Sequence, residues 1–338
     1  MKNFQFLALF LLTFGLVATS CDDDEGIIDN VRDVDAYVSS NTTNALTVID
    51  FADLDNITER KLTVPYSDAD GIAFNDIGDR IFQASRSDNK IYSFEDVDDA
   101  EDGATLTVEA SSFNDVSNLR GMAIKGDRIA VVQDGNDENG QQNRIFIYER
   151  DGNEIREKKA YNIDFNLWGI AWEDNDLYAI VDNSNMLAVF ENFGGEESGD
   201  TAPGEMYEIE GLTRTHGIVI NDREGIMILT DIGDASSDSD GALHIIDDFK
   251  DRLEGARENN NNVLAQNQQI RIAGDNTQLG NPVDVEYNPN SNRVFVAERA
   301  NGGGKVLVFD TPEGSGNVAP IQSRNVPGAS SIALDYGL

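Results

Sequence analysis

Apolar and polar residues alternate along most of the 338-residue chain in short runs, and the runs recur. Five segments open with a short residue and continue as an alternating strand: Gly71-Ile72-Ala73-Phe74, Gly121-Met122-Ala123-Ile124, Gly169-Ile170-Ala171-Trp172, Gly217-Ile218-Val219-Ile220 and Asp284-Val285-Glu286-Tyr287. A sixth, Ser331-Ile332-Ala333-Leu334, stands at the C-terminus. Each of the first five leads through a polar turn to a second strand, such as Ile81-Phe82-Gln83-Ala84 or Leu177-Tyr178-Ala179-Ile180. A third follows, such as Ile91-Tyr92-Ser93-Phe94, Ile145-Phe146-Ile147-Tyr148 or Val306-Leu307-Val308-Phe309. Fourth strands are weaker in pattern, with Thr105-Leu106-Thr107-Val108 and Ile270-Arg271-Ile272-Ala273 as examples. Four short strands per unit, with Asn, Asp and Gly at the turns, predict the blade of a β-propeller.

The opening positions lie 50, 48, 48, 67 and 47 residues apart. The surplus in the long interval falls in two polar insertions, residues 232–241 and 250–265, so it does not require another blade. The sixth unit has one strand only, but Ala36-Tyr37-Val38-Ser39, Leu46-Thr47-Val48-Ile49 and Lys61-Leu62-Thr63-Val64 supply three more near the other terminus. Residues 331–338 and 32–70 together make 47 residues, one ordinary repeat. The expectation is an all-β, six-bladed β-propeller over residues 33–338, its last blade shared between N- and C-terminal strands. A seven-bladed ring with a degenerate blade in the long interval is the alternative. Closing the ring through a shared blade removes exposed sheet edges.

The first 20 residues break the pattern. Lys2 precedes a nearly unbroken apolar run over residues 4–18, which predicts a secretory signal peptide, too short for a stable span. Small residues lead into the only cysteine: Val17-Ala18-Thr19-Ser20-Cys21. This resembles a relaxed bacterial lipobox, which implies acylation of Cys21; ordinary cleavage after Ser20 is the other reading. The following Asp22-Asp23-Asp24-Glu25-Gly26 resembles the export signal of Bacteroidota lipoproteins. That resemblance implies an outer-membrane, lipid-anchored protein facing the cell exterior. The plainer reading of residues 21–32 is a solvated acidic tether.

Charge narrows the partners. With 62 Asp+Glu against 25 Lys+Arg the net charge is -37, while 40% hydrophobic residues suffice for a packed core. So acidic a surface repels nucleic-acid phosphate and anionic lipid, leaving the Cys21 acyl chain as the expected membrane attachment. A single cysteine excludes an intramolecular disulfide and a Cys-based zinc site.

In a propeller, the loops leading into the inner strands and those between second and third strands share one face. Asp70, Arg120, Trp168, His216, Val283 and Ser330 precede the opening positions and should crowd the channel mouth. Asn41, Arg86, Asp134, Asp182, Asp231 and Arg299 end the second strands and form a wider ring, from which the loops 134–143 and 231–241 rise. Their chemical variety at equivalent positions marks this face as the candidate site for a small molecule, a glycan or a protein, although any solvated channel carries polar residues. His216 has the chemistry of a general base or metal ligand, but no nucleophile elbow or His-x-x-x-His pair accompanies it. Trp168 offers a stacking platform or an inter-blade core residue. His244, between Leu243 and Ile245, reads as a blade-packing or solvent-facing residue. The loops 234–241 and 134–140 carry hard oxygen ligands for calcium without EF-hand spacing. Asp200-Thr201-Ala202 resembles a Bacteroidota O-glycosylation sequon.

The inner-strand segments resemble those of six-bladed propellers of the NHL and gluconolactonase types. In the second family a divalent metal held by Glu, Asn and Asp just before the small residue activates water for lactone hydrolysis. Among the matching positions only Asp70 has such a side chain; Arg120, Trp168, His216, Val283 and Ser330 depart from it. The expectation is therefore a surface lipoprotein that binds a ligand or partner, with no catalytic set and no cofactor other than the calcium considered above. The alternatives are a metal-dependent lactonase using Asp70 and His216 with Asp134, Asp182 or Asp231, and a structural cell-surface scaffold.

Overall fold

The computed structural model describes residues 34–113 and 116–336. The signal segment, Cys21 and the acidic tether fall outside the described residues.

Six four-stranded antiparallel blades surround one axis. Blade 1 comprises Ala69–Asn75, Arg80–Ser85, Lys90–Glu95 and Ala110–Ser112. Blade 2 comprises Leu119–Lys125, Arg128–Gln133, Asn143–Asp151 and Glu154–Ile163. Leu167–Glu173, Asp176–Val181, Met186–Phe190 and Glu205–Ile209 form blade 3. Ile218–Asn221, Ile226–Asp231, Ala242–Asp247 and Ile270–Ala273 form blade 4. Blade 5 is Pro282–Asn288, Arg293–Glu298, Lys305–Asp310 and Gln322–Asn325. Blade 6 is the shared one: the C-terminal strand Ala329–Asp335 is its inner strand, and Asp35–Ser40, Ala45–Asp50 and Thr58–Thr63 complete it. Ala36 pairs with Leu334 and Val38 with Ile332, so two ends of the sequence meet in one ladder.

The long fourth interval holds no seventh blade. Its second insertion contains a helix, Phe249–Glu258, whose Phe249, Leu253 and Ala256 recur at helical spacing and are buried. Phe249 meets Tyr178 edge-on across the gap between blades 3 and 4. One expected strand is displaced: blade 1 takes Ala110–Ser112 as its fourth strand, and Thr105 instead bridges in parallel to Thr63 of blade 6. Leu106 is buried in the apolar cluster between blades 6 and 1, so burial of that side chain decides where the segment lies.

Apolar residues fill six clusters, one in each gap between neighbouring blades. Leu46, Val48 and Leu62 of blade 6 pack with Ile72, Ile81 and Phe94 of blade 1; Ile147 and Tyr161 of blade 2 pack with Leu177 and Ala188 of blade 3. Each fully buried aliphatic or Phe side chain contributes about 1.5–3 kcal/mol. Both faces of each blade depend on a neighbour, so the ring is stable only when closed.

Candidate functional site

The mouth is built by a defect repeated around the ring. In blades 1, 2, 3 and 5 the ladder between inner and second strands slips at the first residues of the inner strand, and blade 6 slips at Ser39 and Ser40. Such bulges bend the strand and re-aim a side chain. In blades 1 to 3 the slipped residues are Asp70-Gly71, Arg120-Gly121 and Trp168-Gly169. The glycines are required by close approach: a Cβ on Gly71 would stand 2.3 Å from the Arg120 carbonyl oxygen, and one on Gly169 would stand 2.3 Å from that of His216. Each glycine thereby lets the next blade's mouth residue sit against it.

What results is an alternating arc across four blades. Arg86 pairs with Asp68 and, at 3.3 Å, with Asp70. Arg120 binds Asp70 at 3.2 Å and approaches Asp134 at 3.7 Å. The Arg120 guanidinium lies 4.0 Å above the Trp168 ring, and His216 stacks against Trp168 with centroids 3.6 Å apart and planes 1° from parallel. His216 Nε2 then faces Asp182 Oδ1 at 3.3 Å, and Arg214 Nε binds the same oxygen at 3.0 Å. Both faces of Trp168 are thus covered, by Arg120 and His216, which closes it as a stacking platform for a ligand.

The environment sets the protonation of these groups. Burial pushes His216 below the ordinary histidine value, and the Asp182 carboxylate only partly offsets this. Burial pushes Asp182 up, but its contacts to His216 and Arg214 outweigh it and hold the carboxyl below its usual range. Burial raises Asp134 against the pull of Asn166 and Arg120. At neutral pH the arc presents a neutral imidazole beside the ionised Asp182 carboxylate, which Arg214 also contacts.

Below the arc the axis opens into a cavity of about 280 Å³. Asp70, Trp168, His216, Val283 and Ser330 line it as expected of mouth residues, while Arg120 does not and covers Trp168 instead. Two carboxylates that the sequence reading left aside, Asp284 and Glu286, also line it. Ser331 donates to Asp284, which also accepts from the backbone N–H of Ile332 at 3.0 Å. Burial raises Asp284 to about 6, and burial together with the neighbouring Asp284 charge raises Glu286 to about 8. The signal for them was in the repeat itself. Asp284 interrupts a column of Gly71, Gly121, Gly169 and Gly217, and Glu286 one of Ala73, Ala123, Ala171, Val219 and Ala333.

The remaining candidates lie elsewhere. Asp231 is 1% exposed, and its oxygens accept from the backbone N–H groups of Thr213, Arg214 and Gly233, which sets the loop that carries Arg214. Arg299 is exposed and faces the Asn41 amide, away from the arc. His244 is fully buried, its Nδ1 2.7 Å from Gln269 Oε1. In the loop 234–241, Asp234 accepts from Ser236 and Asp240 accepts from the Asp234 N–H; in the loop 134–140, Asn136 and Asn139 bond to each other. Among the described residues, only Asp79, Asp98 and Asp335, on the opposite face, bring three carboxylate or imidazole ligand atoms within 4.8 Å of one another. Asp70, His216, Asp134, Asp182 and Asp231 do not converge in that way.

No known protein family matches the sequence, and no curated protein matches it. Solved structures do. A chain from a nidogen/laminin complex superposes with a TM-score of 0.61 at 12% identity, covering 89% of this chain and 98% of that one. A provisionally assigned 6-phosphogluconolactonase from Bacteroides fragilis gives 0.58 at 10% identity, with 91% and 99% covered. Its counterpart from Bacteroides uniformis gives 0.57 at 10% identity, with 90% and 100% covered. At such identities the likeness shows the all-β propeller fold alone.

Proposed function

We propose that this chain is a binding propeller, holding a small ligand, a glycan or a protein partner at its channel mouth and displayed outside the cell through an acylated Cys21. One observation carries the reading: the Arg86, Asp70, Arg120, Trp168, His216, Asp182, Arg214 arc is held by side-chain contacts between blades around a concave cavity. Concave, largely preformed sites with a few fixed polar groups are typical of ligand pockets, whereas a passive scaffold needs neither the cavity nor the network. The lactonase alternative has less support, because the mouth carboxylates have arginine neighbours rather than a shared centre.

The test is a thermal-shift screen of small polar metabolites and oligosaccharides against the mature chain, followed by titration of each hit into Arg120→Ala, Trp168→Phe and His216→Gln. Hits weakened in these variants and unchanged in Arg299→Ala support the site; hits indifferent to all four sink it. For the address, Cys21→Ser should move the protein from the membrane to the soluble fraction.

A further inference from the structure

Apart from His216 and Tyr336, every titratable group on the cavity wall is a carboxyl group. Asp70, Asp284 and Glu286 line it, and no lysine or arginine does. Asp70 is neutralised from outside by Arg86 and Arg120. Asp284 and Glu286 have no lysine or arginine in salt-bridge contact among the described residues, and Asp284 is held instead by Ser331 and two backbone N–H groups. A cleft lined by one sign of charge between low-dielectric walls focuses its field on the opposite charge.

A second observation points to a ligand. His216 is 4% exposed and lines the same cavity, and both of its ring nitrogens are buried without a hydrogen-bond partner. Nε2 lies 3.3 Å from Asp182 Oδ1, and in the neutral tautomer that places its proton on that side Nδ1 is left as an acceptor. A buried acceptor without a donor is costly and awaits one. Carboxylates and an imidazole acceptor together call for a donor that is also positive.

The donor atoms do not suit a bare metal ion. No three carboxylate or imidazole ligand atoms of the cavity lie within 4.8 Å of one another, and its volume is about 280 Å³. Between the polar groups run apolar walls, including Ile72, Ile170, Trp172 and Ile218. We propose, resting on the binding reading above, that the channel cavity takes a small organic cation, its primary ammonium group against Asp284 and Glu286 and its apolar body along these walls.

Isothermal titration of the full mature chain at pH 8.5 tests it, with n-butylammonium, n-butanol, butyrate and calcium as separate probes. The expected result is saturable 1:1 binding of butylammonium in the millimolar range or tighter. Glu286→Gln and Asp284→Asn, each confirmed folded by its melting curve, should weaken it at least about tenfold, the loss of one charge-assisted contact. Butanol binding as well as butylammonium, affinity unchanged in both variants, no butylammonium binding up to about 10 mM, or calcium binding that excludes the amine would each overturn the inference. Butyrate binding that is lost in Arg120→Ala would also overturn it, while leaving the mouth as a binding site intact.

Discussion

The rings of Trp168 and His216 lie 3.6 Å apart and within 1° of parallel, joining the first residues of blade 3 to the loop that leads into blade 4. With Arg120 on the other face of Trp168, this stack connects three blades at the mouth. Trp168→Ala should destabilise the protein by about 2–3 kcal/mol, somewhat less than a fully buried Trp because its edge reaches the channel. Trp168→Phe should cost about 1 kcal/mol, since it keeps a face for both partners. Urea unfolding followed by circular dichroism distinguishes the two.

The same stack predicts a pH response. The folded histidine pKa is lowered, so below about pH 6.5 the unfolded chain binds a proton that the folded chain does not. Stability contributed by His216 is therefore present above that pH and is lost as pH falls toward the folded value. In His216→Gln this part of the acid loss should vanish. Equal acid sensitivity of the two proteins between pH 6.5 and 5 would count against the buried neutral imidazole.

Glu286 works in the opposite direction. Its folded pKa of about 8 lies above the ordinary value, so between about pH 4.5 and 8 the folded state binds more protons than the unfolded state. Stability then declines as pH rises through this window. Glu286→Gln should flatten that decline and be the more stable protein at pH 8 by about 2 kcal/mol or more, at roughly 1.4 kcal/mol per pKa unit. Melting curves of both proteins at pH 5 and pH 8 give the comparison.

Two glycine substitutions should differ in sign. Gly169→Ala forces a methyl against the His216 carbonyl oxygen 2.3 Å away and should cost about 1–3 kcal/mol while disturbing the stack. Gly255→Ala lies within the helix Phe249–Glu258, with nothing within 4 Å of the new methyl, and should stabilise by about 0.5–1 kcal/mol. Denaturant midpoints measure both.

Removing residues 329–338 deletes the inner strand of blade 6 and exposes the ladder edge of Asp35–Ser40 along with the apolar cluster around Val38 and Ile332. The truncated chain should lose cooperative unfolding and aggregate. A monomeric truncated protein that melts in one transition near the wild-type temperature would mean that blade 6 does not hold the ring closed.

The alternation of Gly71-Ile72-Ala73-Phe74 and its repeats, together with the spacing arithmetic, pointed to the propeller, favoured six blades over seven, and placed the first strands in one blade with the C-terminal strand. Period and count are properties of the chain, and each repeat has an apolar face that only a neighbouring repeat can bury. The mouth residues Asp70, Trp168 and His216 were legible for the same reason, because position within a repeat fixes which end of the blade a residue occupies. Partners were not legible. Asp182 meets His216 and Arg214 across a blade boundary, while Asp231, at the equivalent place in the next blade, turns to the backbone N–H groups of Thr213 and Arg214. That difference depends on bulges and on which carbonyls a glycine admits. Asp284 and Glu286 show the division most plainly: their departure from the repeat was written in the chain, but only the closed ring set them, half-buried, in the wall of the cavity that His216 also lines.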